Sequence, residues 1–397
     1  MHDRRERTLL AAYAHAVLGL LIAFLAPATL HSQTKAKSTM PADPWTRDSE
    51  EDVRKAGWIT KEMLQWAPDH DVAAVRRCLT PRPVLALETP HFRILSTLAE
   101  QRVDTKDKAG LKLLEAELTL LSKRLDKVEA KRVRRLDPWL RVYLFAQRLE
   151  DLRRNFVDLL GPDAAASMAA KTNVLLLERT TELDRYAAQH LQRASAKMSL
   201  RHVFDDRTPI IVTAAELGVL QQDRQLAGSV AFNVTHCLFD TYKSNLYELP
   251  AWLREGLAHW FAQAIDPDEV NRTTSSNEDI TMLLRQDWAS LTKKILQSKA
   301  MRPLDEIFVD TNFDCMKFRD HIACWSRVDY MVSEHGAAFR SFIDGIKGQF
   351  DARGHSLPQS EVPARFQEAF EKSFGQGPTD FDRDWAAWAS AKKAKRR

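Results

Sequence analysis

Phe232-Asn233-Val234-Thr235-His236, followed by Leu249-Pro250-Ala251-Trp252-Leu253-Arg254-Glu255-Gly256-Leu257-Ala258, decides how this chain is read. Eighteen residues separate His236 from Glu255. A helix over residues 226–242 puts Phe232, His236 and Phe239 on one face, at i, i+4 and i+7. A second helix carries Glu255 and, four residues on, His259. An imidazole and a carboxylate on successive helices are chemical groups, yet the residues beside them, a phenyl ring and an amide, are inert.

Outward from this segment, the chain has 397 residues, of which 44% are hydrophobic and 28% charged, with a formal net charge of +4. That suffices for a sizeable core. Part of the charge lies in a basic tail, residues 392–397, which reads as a solvated end. Since no basic stripe with interleaved aromatics appears elsewhere, nucleic acid is not an expected partner. At the other end Arg4, Arg5 and Arg7 precede an apolar run from Leu9 to Ala28. Residues 1–32 therefore read as an export signal, cleaved after Ala28 or Ser32, and the protein as periplasmic or extracellular. The alternative is an uncleaved membrane anchor over residues 9–28. Of the four cysteines, Cys78, Cys237, Cys315 and Cys324, the last two are the nearer pair for a disulfide. Four buried thiols are the other reading.

Residues 33–88 read as a polar linker with a short helix around Ala73–Cys78, and residues 89–391 as the folded domain. Its first strand is expected near Thr89–Leu95, a short apolar run after a Pro. Leu111, Leu114, Leu118, Leu121, Leu125 and Val128 follow at helical spacing and predict a helix packed on a sheet. Leu140–Phe145 reads as a strand, Ala146–Leu160 as a helix ending at Gly161, and Val174–Leu177 and Pro209–Val212 as further strands. From Ala214 the pattern is helical to the end. The fold class is α+β: a small N-terminal mixed sheet with helices, then a mostly helical C-terminal half.

Residues 226–262 resemble the gluzincin clan of metallopeptidases, and more narrowly the peptidase MA-like group. The Pro250-Ala251-Trp252-Leu253-Arg254-Glu255-Gly256-Leu257-Ala258 element is the specific part. Weaker likeness extends over roughly residues 90–390, including two C-terminal helices separated by Gly375. The resemblance implies a gluzincin-like fold and a zinc site of His-Glu-x-x-His plus a Glu on the next helix, the first Glu being the general base. In this chain His236 matches the second His and Glu255 the third ligand, whereas Phe232 stands at the first His and Asn233 at the base.

A phenyl ring cannot ligate zinc, and an amide is no base near neutral pH. Loss of such a base costs about 10²–10⁴ in rate. The resemblance thus implies an exported pseudoprotease: a peptidase MA-like protein with an eroded zinc site and no catalytic residue. Its residual cleft would bind a peptide or protein ligand, or act as a scaffold. The alternative is an atypical zinc-dependent metallopeptidase or hydrolase in which His259 joins His236 and Glu255 as metal ligands. A third arrangement needs no zinc: a buried polar cluster in which both imidazoles share the Glu255 carboxylate. His190, His202, His321 and His335 are isolated in sequence, and Tyr330 reads as a core residue.

Overall fold

The computed structural model describes residues 40–392, except 63, 169, 219, 221, 244–246, 270, 272–286 and 315. The expected export segment and Cys315 therefore lie outside the described residues, as does most of the basic tail. The strands are β1 (Thr60–Lys61), β2 (Leu85–Glu88), β3 (Phe92–Ser96), β4 (Gln101–Arg102), β5 (Arg135–Leu136), β6 (Thr172–Leu177), β7 (Leu200–Val203) and β8 (Pro209–Ala214). Six of them form one sheet in the order β1-β2-β3-β6-β8-β7, and β4 pairs with β5 separately. β3, β6 and β8 run parallel, with Ile94 opposite Val174 and Val174 opposite Ile211. Every residue of β6 and β8 is buried. This is the pattern of parallel strands covered on both faces, and it explains why their apolar runs were legible. The outer strands pair antiparallel.

The helices are α1 (Glu50–Lys55), α2 (Val72–Leu79), α3 (Lys108–Leu121), α4 (Pro138–Leu160), α5 (Asp163–Ser167), α6 (Thr180–His190), α7 (Asp223–Thr241), α8 (Ala251–Ile265), α9 (Trp288–Gln297), α10 (Leu304–Ile307), α11 (Phe318–Ile346), α12 (Val362–Phe374) and α13 (Pro378–Ala391). The chain is α+β, a mixed six-stranded sheet followed by a mostly helical half. Gly375, at φ 70°, ends α12 in the left-handed conformation that glycine adopts without strain.

Three elements differ from expectation. The strand expected at Leu140–Phe145 is the first half of α4, one helix from Pro138 to Leu160. The Asp137 carboxylate accepts from the Trp139 and Leu140 amides at 3.0 and 3.1 Å, and Pro138 takes the first position. Every residue from Trp139 to Leu149 is buried, between the sheet, α3, α7 and α11. A helix enclosed on all sides shows no single stripe, so its apolar run imitates a strand.

The expected helix at Leu111–Val128 ends at Leu121, and it packs on α4 rather than on a sheet. Leu125 and Val128 are buried from the turns that follow. Finally, the expected linker 33–88 is built into the fold over the described part. It supplies α1, β1, α2 and β2, with Trp58, Trp66, Val75 and Leu79 in the core. The Asp43 carboxylate receives the Tyr143 hydroxyl at 2.6 Å and Lys61 Nζ at 2.5 Å, which fastens this layer to α4. The short helix expected at Ala73–Cys78 is α2.

Candidate functional site

α7 is the next element after β8 and opens with reciprocal bonds between Gln222 and Gln225. α8 starts after Pro250 and is held by the Ala251 amide on the Asp310 carbonyl (2.8 Å) and the Trp252 indole on the Phe308 carbonyl (3.0 Å). Gly256 lets α8 meet α11 at backbone distance, since a β-carbon there would lie 2.5 Å from the Cys324 carbonyl oxygen. His236 from α7, Glu255 and His259 from α8, and His321 from α11 thereby meet in one cluster, every side chain fully buried.

Glu255 stands at its centre. Its Oε1 lies 3.1 Å from His236 Nε2, off the line of a good hydrogen bond. Its Oε2 lies 2.9 Å from His321 Nδ1 and 3.7 Å from His259 Nε2, and those two nitrogens are 3.1 Å apart. On the other edge of its ring, His259 Nδ1 bonds Glu269, which sits just beyond α8. Burial would push the Glu255 carboxyl up, but its contacts with His236 and His321 outweigh that and hold it well below the usual range. Burial, then the charge of Arg201 on β7, hold the His236 imidazole down at about 4 despite Glu255, so His236 is neutral at pH 7.

Where the resemblance would place the first ligand, hydrocarbon fills the space. The Phe232 ring meets His236 edge-on at 5.0 Å and His259 at 4.9 Å, and it packs on Ala258 and Ala262. Asn233 turns back on its own helix, donating to the Ser229 carbonyl at 2.8 Å. The residues present do not fit the His-Glu-x-x-His zinc site that the resemblance implies. One ligand is a phenyl ring, and the amide at the base position is engaged with backbone.

Of the sequence candidates, His236, Glu255 and His259 are brought together. The donors that converge most closely are Glu255, His259 and His321, and His236 stands outside that set. His321 was passed over because it stands 66 residues from Glu255. A signal existed: Phe318, His321, Ile322, Trp325 and Val328 share a helical face, and a histidine within an apolar stripe needs a partner. Glu269 was missed because it lies in a loop.

The other histidines pack elsewhere: His190 on His70 (4.0 Å), His202 against Phe204 and His335 against Tyr330. Tyr330 lies among Phe381 and Trp388, a core tyrosine as expected. Trp252 and Phe261 are buried in the core, and Trp260 is half-buried. Cys78, Cys237 and Cys324 carry free thiols, so Cys324 joins no disulfide with Cys315. Cys324 is held inside α11 against Gly256, and burial pushes the Cys237 thiol up to about 12. No family model and no curated protein matches this chain.

Proposed function

We propose that this chain is a non-catalytic relative of the peptidase MA-like metallopeptidases, exported by residues 1–32 and serving as a ligand-binding or scaffold protein. The observation that carries the reading is the Phe232 ring lodged between His236 and His259, where a catalytic site would hold an open, hydrated metal position. Asn233 adds to it, because an amide bonded to Ser229 can neither ligate metal nor take a proton from water.

Two features suit binding. A cavity of about 540 Å³ lies beside the start of α7, lined in part by Asp107, Glu117, Arg148, Asp223, Arg224 and Asp266, and it suits a polar ligand. Strand β7 closes one end of the sheet at Leu200–Val203, where an extended peptide would add as a further strand.

The test is hydrolysis. The intact chain, incubated with zinc, is expected to leave casein and a mixed peptide library uncut. Cleavage that is stopped by a chelator and by Glu255→Gln would overturn the proposal in favour of an atypical zinc hydrolase.

A further inference from the structure

We infer that Glu255, His259 and His321 form a zinc-type metal site that ties α8 to α11, displaced from the site that His236 and Phe232 would have shared. The inference is independent of the ancestry proposed above, because it uses only the geometry of these side chains.

Three donor atoms lie close together: Glu255 Oε2, His259 Nε2 and His321 Nδ1. Their separations of 2.9, 3.1 and 3.7 Å define a circle of radius about 1.9 Å, so a cation about 0.9 Å off that plane lies about 2.1 Å from all three. That matches zinc bonded to imidazole nitrogen and carboxylate oxygen. Glu269 fixes the tautomer. By accepting the Nδ1 proton of His259 it leaves the lone pair on Nε2, the atom that lies beside His321 and Glu255. A carboxylate behind a ligating imidazole is the usual outer partner in zinc sites.

Charge points the same way. Glu255 and Glu269 are two fully buried carboxylates, and buried charges persist when paired or bound to a metal. Arg201 on β7 adds a positive charge that acts on Glu255, and a divalent ion would add two more. The role is structural. All donors are closed to solvent, Phe232 and Trp288 cover His259 at 4.9 and 5.0 Å, and among the described residues no further acid or base stands ready to act on a bound water. The ion cross-links the two helices that Gly256 brings together.

The experiment uses the intact chain without an affinity tag, stripped with chelator, dialysed and reloaded with Zn²⁺ or Co²⁺. One equivalent per chain is expected, with a four-coordinate Co²⁺ absorption in which one trapped water completes the three protein donors, no thiolate charge transfer, and a rise in melting temperature on loading. His321→Gln is expected to weaken Co²⁺ binding at least about 100-fold and Glu269→Gln about 10–100-fold, while His236→Ala retains the metal. Metal no higher than trace after reloading would overturn the inference, leaving a metal-free buried polar cluster. Metal lost in His236→Ala but kept in His321→Gln would overturn it too, in favour of the ancestral set. Should His321→Gln fail to fold, Co²⁺ titration of the unaltered chain decides by the same stoichiometry and spectrum. Bound zinc with hydrolysis would sink the non-catalytic reading and leave this one standing; no zinc and no hydrolysis would do the reverse.

Discussion

Gly256 and Lys347 bear on the architecture in opposite ways. A methyl group on Gly256 would press on the Cys324 carbonyl oxygen at 2.5 Å and on Val328 at 2.7 Å, both on the facing helix. Backbone cannot step aside as a flexible side chain does, so Gly256→Ala is expected to lose about 2–3 kcal/mol by urea unfolding, despite the better helix propensity of alanine. An unchanged unfolding midpoint would refute the close approach. Lys347 is buried against the Phe239 ring, and burial pulls its amine down to about 7 although Asp240 pulls it up. Between pH 7 and 10.5 the unfolded chain keeps the proton that the folded chain has released, so stability rises with pH across that window. The shift corresponds to roughly 4–5 kcal/mol, a cost fully present below pH 7 and gone above 10.5. Lys347→Met is therefore expected to stabilise the protein by about 2 kcal/mol or more at pH 7 and to flatten that rise. Parallel stability–pH curves for the two proteins would refute it. At this scale the sequence was half legible. His236, Glu255 and His259 could be placed by helical spacing within two neighbouring segments, but His321 comes from a third helix, and spacing says nothing about which distant faces meet.

At the scale of elements, α4 and α7 are joined by ions rather than by apolar surface alone. Asp223, in the first turn of α7, receives Arg141 Nε and Arg148 Nη1 from α4, each at 2.8 Å. Arg148 also forks onto Glu117 of α3. Burial raises the Asp223 carboxyl and the two guanidinium charges bring it below its ordinary value. Asp223→Ala would leave two buried cations short of a partner, and about 3–5 kcal/mol of stability should be lost. Replacing all three residues by apolar ones of similar volume should recover much of that loss, since the penalty is one of unpaired charge. A single-variant loss under about 1 kcal/mol in urea titration would show the cluster to be solvated. The same enclosure hid the first half of α4. Its arginines and Gln147 are buried like its leucines, so no polar face marks a helical period. Only the Asp137-Pro138 start signalled a helix. The central strands β6 and β8, by contrast, were short apolar runs bounded by turns and could be read directly.

For the whole molecule the question is what holds the far side of the sheet. Residues 40–88 are polar in composition because α1 exposes four of its six residues and α2 buries only one face. Their few large apolar residues nevertheless pack into the common core, and composition averaged over the segment concealed this. β2 pairs with β3 over four residues, the Trp66 indole donates to the Tyr186 hydroxyl at 3.1 Å, and α2 lies on α6. Trp58, Trp66, Val75, Leu79, Val84, Leu85 and Leu87 are each at most 2% exposed. At about 1.5–3 kcal/mol apiece, burial of these seven side chains amounts to more than about 10 kcal/mol. That is comparable to the entire stability of an ordinary domain, roughly 5–15 kcal/mol. Deleting residues 40–88 should thus do more than shorten a tether. It strips the antiparallel neighbour from β3, leaves an apolar edge open to association, and uncovers the core above α4 and α6. The expected product is an insoluble chain, or a soluble one without a cooperative thermal transition by circular dichroism. A shortened protein that melts cooperatively within a few degrees of the parent would mean that this layer contributes little, and that the sheet is completed by β3 alone.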